Sequence, residues 1–190
     1  MALLIAGIIV FFGIHLLPAY PQVRARLMER LGQTGYRVLF SILSLASFVL
    51  LIWGFAQAPV IQVWSPPPWT RWVAIVLMLP AFIFLAAAYL PGRIKARLKH
   101  PFLVAIKTWA LAHLIANGDL ASIILFGSFL AYAVFDRIAL KGRRPTALIE
   151  TPGQGSARND LLAVVFGVLF YVVFLVWLHP LLIGRAVVPH

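Results

Sequence analysis

The chain of 190 residues contains no cysteine and only five acidic residues. Without thiols, disulfides, thiolate metal sites and thiolate-ligated haem are excluded, while ligation by histidine is not. Charge of either sign is scarce: 11% of residues are charged, where a soluble domain has about a quarter. Long polar stretches are nearly missing too. Residues 141–159, KGRRPTALIETPGQGSARN, form the only one, and their glycine, proline and serine indicate a flexible cytoplasmic loop rather than a second domain. No run of ten residues alternates in polarity, which removes a membrane β-barrel. No long internal repeat is visible, so an inverted-repeat transporter gains no support.

What the chain has in excess is apolar sequence, at 63% of residues. Apolar runs of about 20 residues recur, each enough to cross a hydrocarbon core of roughly 30 Å at about 1.5 Å per residue. Six spans are expected, at 2–20, 37–57, 70–90, 101–117, 119–139 and 160–184. All should be helices, because lipid offers backbone groups no alternative partner. The fold expected is an all-α polytopic membrane bundle over residues 1–190 as a single domain. MALLIAGIIVFFGIHLLPAY at the start has neither a basic residue before its apolar run nor a convincing small-x-small cleavage site, and reads as a retained first span.

Sixteen lysines and arginines give a net charge of +11. In a soluble chain that would point to nucleic acid. Here the basic residues sit in short connections between apolar runs, which indicates membrane orientation and contact with anionic lipid, not nucleic-acid binding. The first, third and fifth connections hold or border Arg24, Arg26, Arg30, Arg37, Arg93, Lys95, Arg97, Lys99, Arg137, Lys141, Arg143, Arg144 and Arg158, against Arg71 and Arg185 on the other side. That asymmetry predicts cytoplasmic basic loops and both termini outside. In the outer loop 58–69, Pro66, Pro67 and Pro68 stiffen the chain, and Trp64, Trp69 and Trp72 suit the headgroup zone.

Ionisable groups inside a span are functional candidates by default, because hydrocarbon penalises them. His15, Lys107, His113 and His179 are the four that matter most. On the fourth span, Lys107 shares a face with His100, Val104, Leu111 and Leu114 at about 100° per residue. His113 lies roughly 120° away, on the side of Ile106, Trp109, Ala110 and Asn117. The two faces argue against one proton wire along this helix. Lys107 can snorkel to the headgroups or pair with Asp136 or Asp119. His100 opens the span ahead of Pro101, and His179 precedes Pro180 beside Tyr171, Val172 and Leu175. Asn117, Gly118 and Asp119 form a tight turn, which makes the fourth and fifth spans an antiparallel hairpin. A membrane histidine ordinarily makes a helix–helix hydrogen bond. The sharper alternative is a haem held by two imidazoles from different helices, with aromatic and small residues lining the slot.

KHPFLVAIKTWALAHLIANGD, followed by ILFGSFLAYAVFDR, resembles the NnrU family of bacterial inner-membrane proteins, and HLLP around His15 fits as well. The resemblance covers nearly the whole chain. It implies a location in the bacterial inner membrane and an association with nitrite and nitric oxide reduction in denitrifying bacteria. The family shares its domain with plant ζ-carotene isomerase, which isomerises a cis double bond using histidine-ligated haem b. That enzyme carries an AH pair thirteen residues after the histidine of an RHP motif; here His100 and Ala112-His113 have the same spacing. The resemblance therefore implies His113 and His15 as ligands of a b-type haem, with His100 and His179 in reserve. It departs at Ala110, where the isomerase has a cysteine able to exchange as ligand, and this puts the plant form of the mechanism in doubt. The expectation is an accessory or redox-linked role, with a redox partner or an apolar small molecule reached from the bilayer. The alternatives are a haem-dependent isomerase of a carotenoid-like substrate, and a cofactor-free transporter or respiratory-complex assembly factor with Lys107, His113, Asp119 and Asp136 along a polar path, Asn117 being a further polar position within the spans.

Overall fold

The computed structural model describes residues 1–142, 155–184 and 187. Among them the regular elements are all helices, as the apolar runs require. The helices are α1 (Ala2–Leu16), α2 (Pro21–Ala56), α3 (Thr70–Tyr89), α4 (Arg93–Leu98), α5 (Pro101–Ala116), α6 (Leu120–Gly142), α7 (Ala157–Val173) and α8 (His179–Ile183). A 3₁₀ turn, Leu17–Ala19, follows α1, and a π-helical turn, Phe174–Leu178, joins α7 to α8. Five helical runs are long and apolar enough to cross a membrane: Ala2–Ala19, Pro21–Ala56, Thr70–Tyr89, Leu120–Leu140 and Ala157–Ile183. The fourth expected span, α5, has 16 residues, about 24 Å of helix.

Two expectations change. The second helix begins at Pro21, well before the expected 37, because the polar stretch PQVRARLMERL is itself helical. Gly32 interrupts it with φ 69° and ψ 165°, a conformation that a side chain would strain and glycine adopts freely. The basic connection between the third and fourth spans also contains a helix, α4. The expected flexible loop 141–159 falls largely on residues 143–154, which lie outside the described residues.

The chain divides into two compact units. In the first, Met1–Ser65 with Asn117–Tyr132, α1 runs antiparallel along α2. Small residues set the approach: a Cβ on Gly7 would lie 2.8 Å from the Leu51 Cα, and one on Gly54 would lie 2.6 Å from the Leu4 nitrogen. Such close backbones gain dispersion contacts, which must replace the hydrophobic effect inside lipid. The start of α6 joins through rings: Phe12 meets Phe129 at 5.0 Å and Tyr132 at 5.1 Å. The outer loop is tied down by backbone bonds. The Gly118 carbonyl accepts from Val63 and Trp64 N–H at 2.9 and 3.2 Å, and Leu120 N–H donates to Ile61 at 2.8 Å.

In the second unit, Pro66–Ala116 with Ala133–His190, α3 packs on α5 and α7. Gly167 presses on Ile83, where an added Cβ would lie 2.6 Å from the Cα. Phe82 contacts the rings of Phe170, Tyr171 and Phe174 at 5.2 to 5.9 Å. The Tyr171 hydroxyl donates to the Ile75 carbonyl at 3.0 Å. At the basic end, Asp160 accepts from the Ile94 N–H at 2.9 Å, and Asn159 Nδ2 donates to the Pro91 carbonyl at 2.9 Å. The polar residues that open α7 thus clasp the start of α4.

Candidate functional site

His15 occupies the last turn of α1 among aromatic rings. Its Nδ1 lies 2.7 Å from the Phe11 carbonyl, one turn back. A carbonyl only accepts, so Nδ1 carries the proton and Nε2 of the neutral ring keeps the lone pair. Phe11 stacks on the imidazole at 4.0 Å and 27°, and Phe40 of α2 stands edge-on at 5.7 Å. Tyr132 of α6 is edge-on at 6.4 Å, and its hydroxyl donates to the His15 carbonyl at 3.4 Å. Phe40, Ser44 and Phe48 follow at spacings of four on one face of α2. The outer two touch His15 and Phe11. Between them along the helix, Ser44 Oγ is buried with no hydrogen-bond partner among the described residues. A buried hydroxyl left unsatisfied is uncommon and calls for an explanation.

His113 repeats the same local arrangement on α5. Its Nδ1 lies 2.8 Å from the Trp109 carbonyl and its ring 5.3 Å from the indole. The expected companions Trp109 and His113 do share a side. Ala110 and Ala112 beside it are fully buried.

His179 lies in the same unit as His113. Its surroundings differ from a regular wheel. Pro180 has no N–H, and its ring would collide with the Val176 carbonyl in an α-turn. The chain widens ahead of it, so that the His179 N–H bonds to Phe174, five residues back. Phe174 thereby comes to 6.1 Å from the His179 ring, a neighbour that the regular spacing did not provide.

The remaining polar positions have separate settings. Lys107 is half-buried on α5. Asn117 follows the end of α5 within the turn. Asp119 is the N-cap of α6: its carboxylate accepts from the Ser122 N–H at 2.9 Å and from the Ser122 hydroxyl at 2.7 Å. His100 is held below the usual histidine pKa by burial and then by the charges of Arg137 and Lys99, against an opposing effect of Asp136. Ser44, Tyr132 and Asp160 had no signal in the sequence beyond their polarity, because their settings depend on which helix lies opposite.

Among the described residues, no group of three or more His, Asp or Glu side chains converges as a metal site. A haem differs in supplying four donors itself and requiring only axial ligands. His15 in the first unit and His113 in the second each have the chemistry of such a ligand, an imidazole with its proton-bearing Nδ1 held on a backbone carbonyl.

These features define an α-helical membrane protein with several spans and histidines set within its apolar helices. The NnrU protein family matches residues 3–187, and the chain belongs to that family. No match is found among curated proteins or among solved structures.

Proposed function

We propose that this protein is an inner-membrane haem b protein with an accessory or redox-linked role in nitrite and nitric oxide metabolism, its basic loops in the cytoplasm. The observation that carries the ligation reading is the shared setting of His15 and His113. Each ring directs Nδ1–H at the carbonyl one turn back, at 2.7 and 2.8 Å, and keeps the lone pair on Nε2. Metal-ligating histidines are commonly held this way, since the second bond fixes the tautomer and makes the ligand more basic.

When bound, the haem supplies one-electron chemistry, or an iron able to polarise a substrate. The chain's residues do the rest. Phe11 orients the His15 ring by stacking, and the Ser44 hydroxyl offers a hydrogen bond to a polar group on the ligand. Ala110 offers no thiolate, so ligand exchange through a cysteine is not available, and the isomerase reading is the weaker one.

A second ligand pairing has its own observation. His113 and His179 lie in one unit, and the π-turn sets the orientation of His179. Spectra separate the pairings. Purified in detergent after expression with ample haem, the protein should show a Soret band that His113→Ala shifts or abolishes. The first pairing predicts the same for His15→Ala and no change for His179→Ala, and the second predicts the reverse. His190→Ala, at a position outside the described residues, should leave the spectrum alone. A preparation with no Soret band, whose function survives loss of either His15 or His113, would favour the cofactor-free transporter or assembly factor.

A further inference from the structure

The segment 21–31, PQVRARLMERL, separates two apolar helical runs and has a composition unlike either. At about 100° per residue, Val23, Leu27, Leu31 and Met28 fall on one side, and Gln22, Ala25, Arg26, Glu29 and Arg30 on the other. Arg24 lies within the apolar arc, where its stem can follow the apolar surface while its guanidinium reaches outward. Protein covers the apolar side only in part: Val23 and Leu31 are each 43% exposed. Leu27 and Met28 are half-buried. Three arginines, all exposed, stand against the single Glu29.

The backbone lets this segment depart from the spans. Pro21 opens it at the first helical position after the Leu17–Ala19 turn, and Gly32, at φ 69°, ends its continuity with 33–56. A straight helix over all 36 residues would measure about 54 Å, far beyond the hydrocarbon thickness of roughly 30 Å. With the break, 33–56 alone is about 36 Å long and sufficient to span. The remaining segment is tethered at both ends to membrane helices, so it stays at the bilayer surface. There its apolar side meets acyl chains and its arginines meet headgroups. Each such arginine is drawn to an anionic membrane surface.

We propose that residues 21–31 form an interfacial helix that binds anionic phospholipid, with Val23 and Leu27 in the acyl boundary and Arg24, Arg26 and Arg30 on lipid phosphates. The inference does not depend on haem. The chain has no cysteine of its own, so single labels can be introduced cleanly. Nitroxides would be attached at Gln22→Cys, Val23→Cys, Ala25→Cys and Leu27→Cys in the full-length protein. Each variant would be reconstituted in phosphatidylcholine bilayers with and without phosphatidylglycerol. Collision with oxygen should dominate at 23 and 27, and collision with a water-soluble nickel chelate at 22 and 25. Phosphatidylglycerol should deepen the labels at 23 and 27. The combined change Arg24→Gln, Arg26→Gln and Arg30→Gln should remove that deepening while the spans stay folded. Equal nickel access at all four positions would overturn the proposal, as would labels at 23 and 27 shielded from both reagents by protein. Insensitivity to the anionic lipid would overturn the arginine–phosphate contacts.

Discussion

Asp119 shows how a single residue can be conspicuous in a sequence and still need the structure to give it a task. As an acidic group beside an apolar run it was a candidate for a polar path, alongside Lys107 and Asp136. Its carboxylate instead takes two hydrogen bonds from Ser122 at the first turn of α6. An N-cap of this kind satisfies an orphan N–H and places negative charge at the positive end of the helix dipole. Asp119→Ala should therefore lower stability by about 1 kcal/mol, and Asp119→Asn by less, measured by unfolding in mixed detergent and dodecyl sulfate micelles. The reverse ranking would mean that the residue acts through charge elsewhere. His15 was easier to interpret, since Phe11 precedes it by four residues and the stacked pair follows from helix geometry alone. Ser44 was not, because one more serine in an apolar helix has nothing in its local sequence to say that its hydroxyl goes unsatisfied.

At the scale of elements, the helices were evident and their faces were not. Spans that are apolar all round give hydrophobicity no preferred side, so the pattern that orients a soluble helix is lost. Close packing decides instead. Gly7, Gly54 and Gly167 each sit where a Cβ would lie under 3 Å from a neighbouring backbone, whereas Gly13 has nothing within 4 Å. Gly54→Ala must push α1 and α2 apart and should cost roughly 1–3 kcal/mol, like other overpacked sites. Gly13→Ala should be neutral or slightly stabilising through its better helix propensity. Micelle unfolding distinguishes the two, and equal effects would remove the glycine-set crossing. The π-turn before Pro180 is another case: proline signals a disturbance, but which residues then surround His179 emerges only once the turn has widened.

For the whole molecule, the asymmetry of basic residues makes an orientation testable without further structure. A membrane-impermeant maleimide applied to intact spheroplasts should label Gln62→Cys and spare Ser156→Cys until the membrane is opened. The opposite pattern would invert the topology. Membrane residence, an all-helical fold, the approximate spans and the family were determined by the sequence itself. Each of these follows from composition, run length or a contiguous motif. The helicity of 21–31, the glycine crossings, the clasp of Asp160 on α4, the widened turn at His179 and the unsatisfied Ser44 hydroxyl were decided by the tertiary structure. The physical reason is the solvent. In lipid an apolar side chain is satisfied in any direction, so the sequence specifies that a helix forms and crosses. Only steric fit and the search of polar groups for partners determine which faces meet.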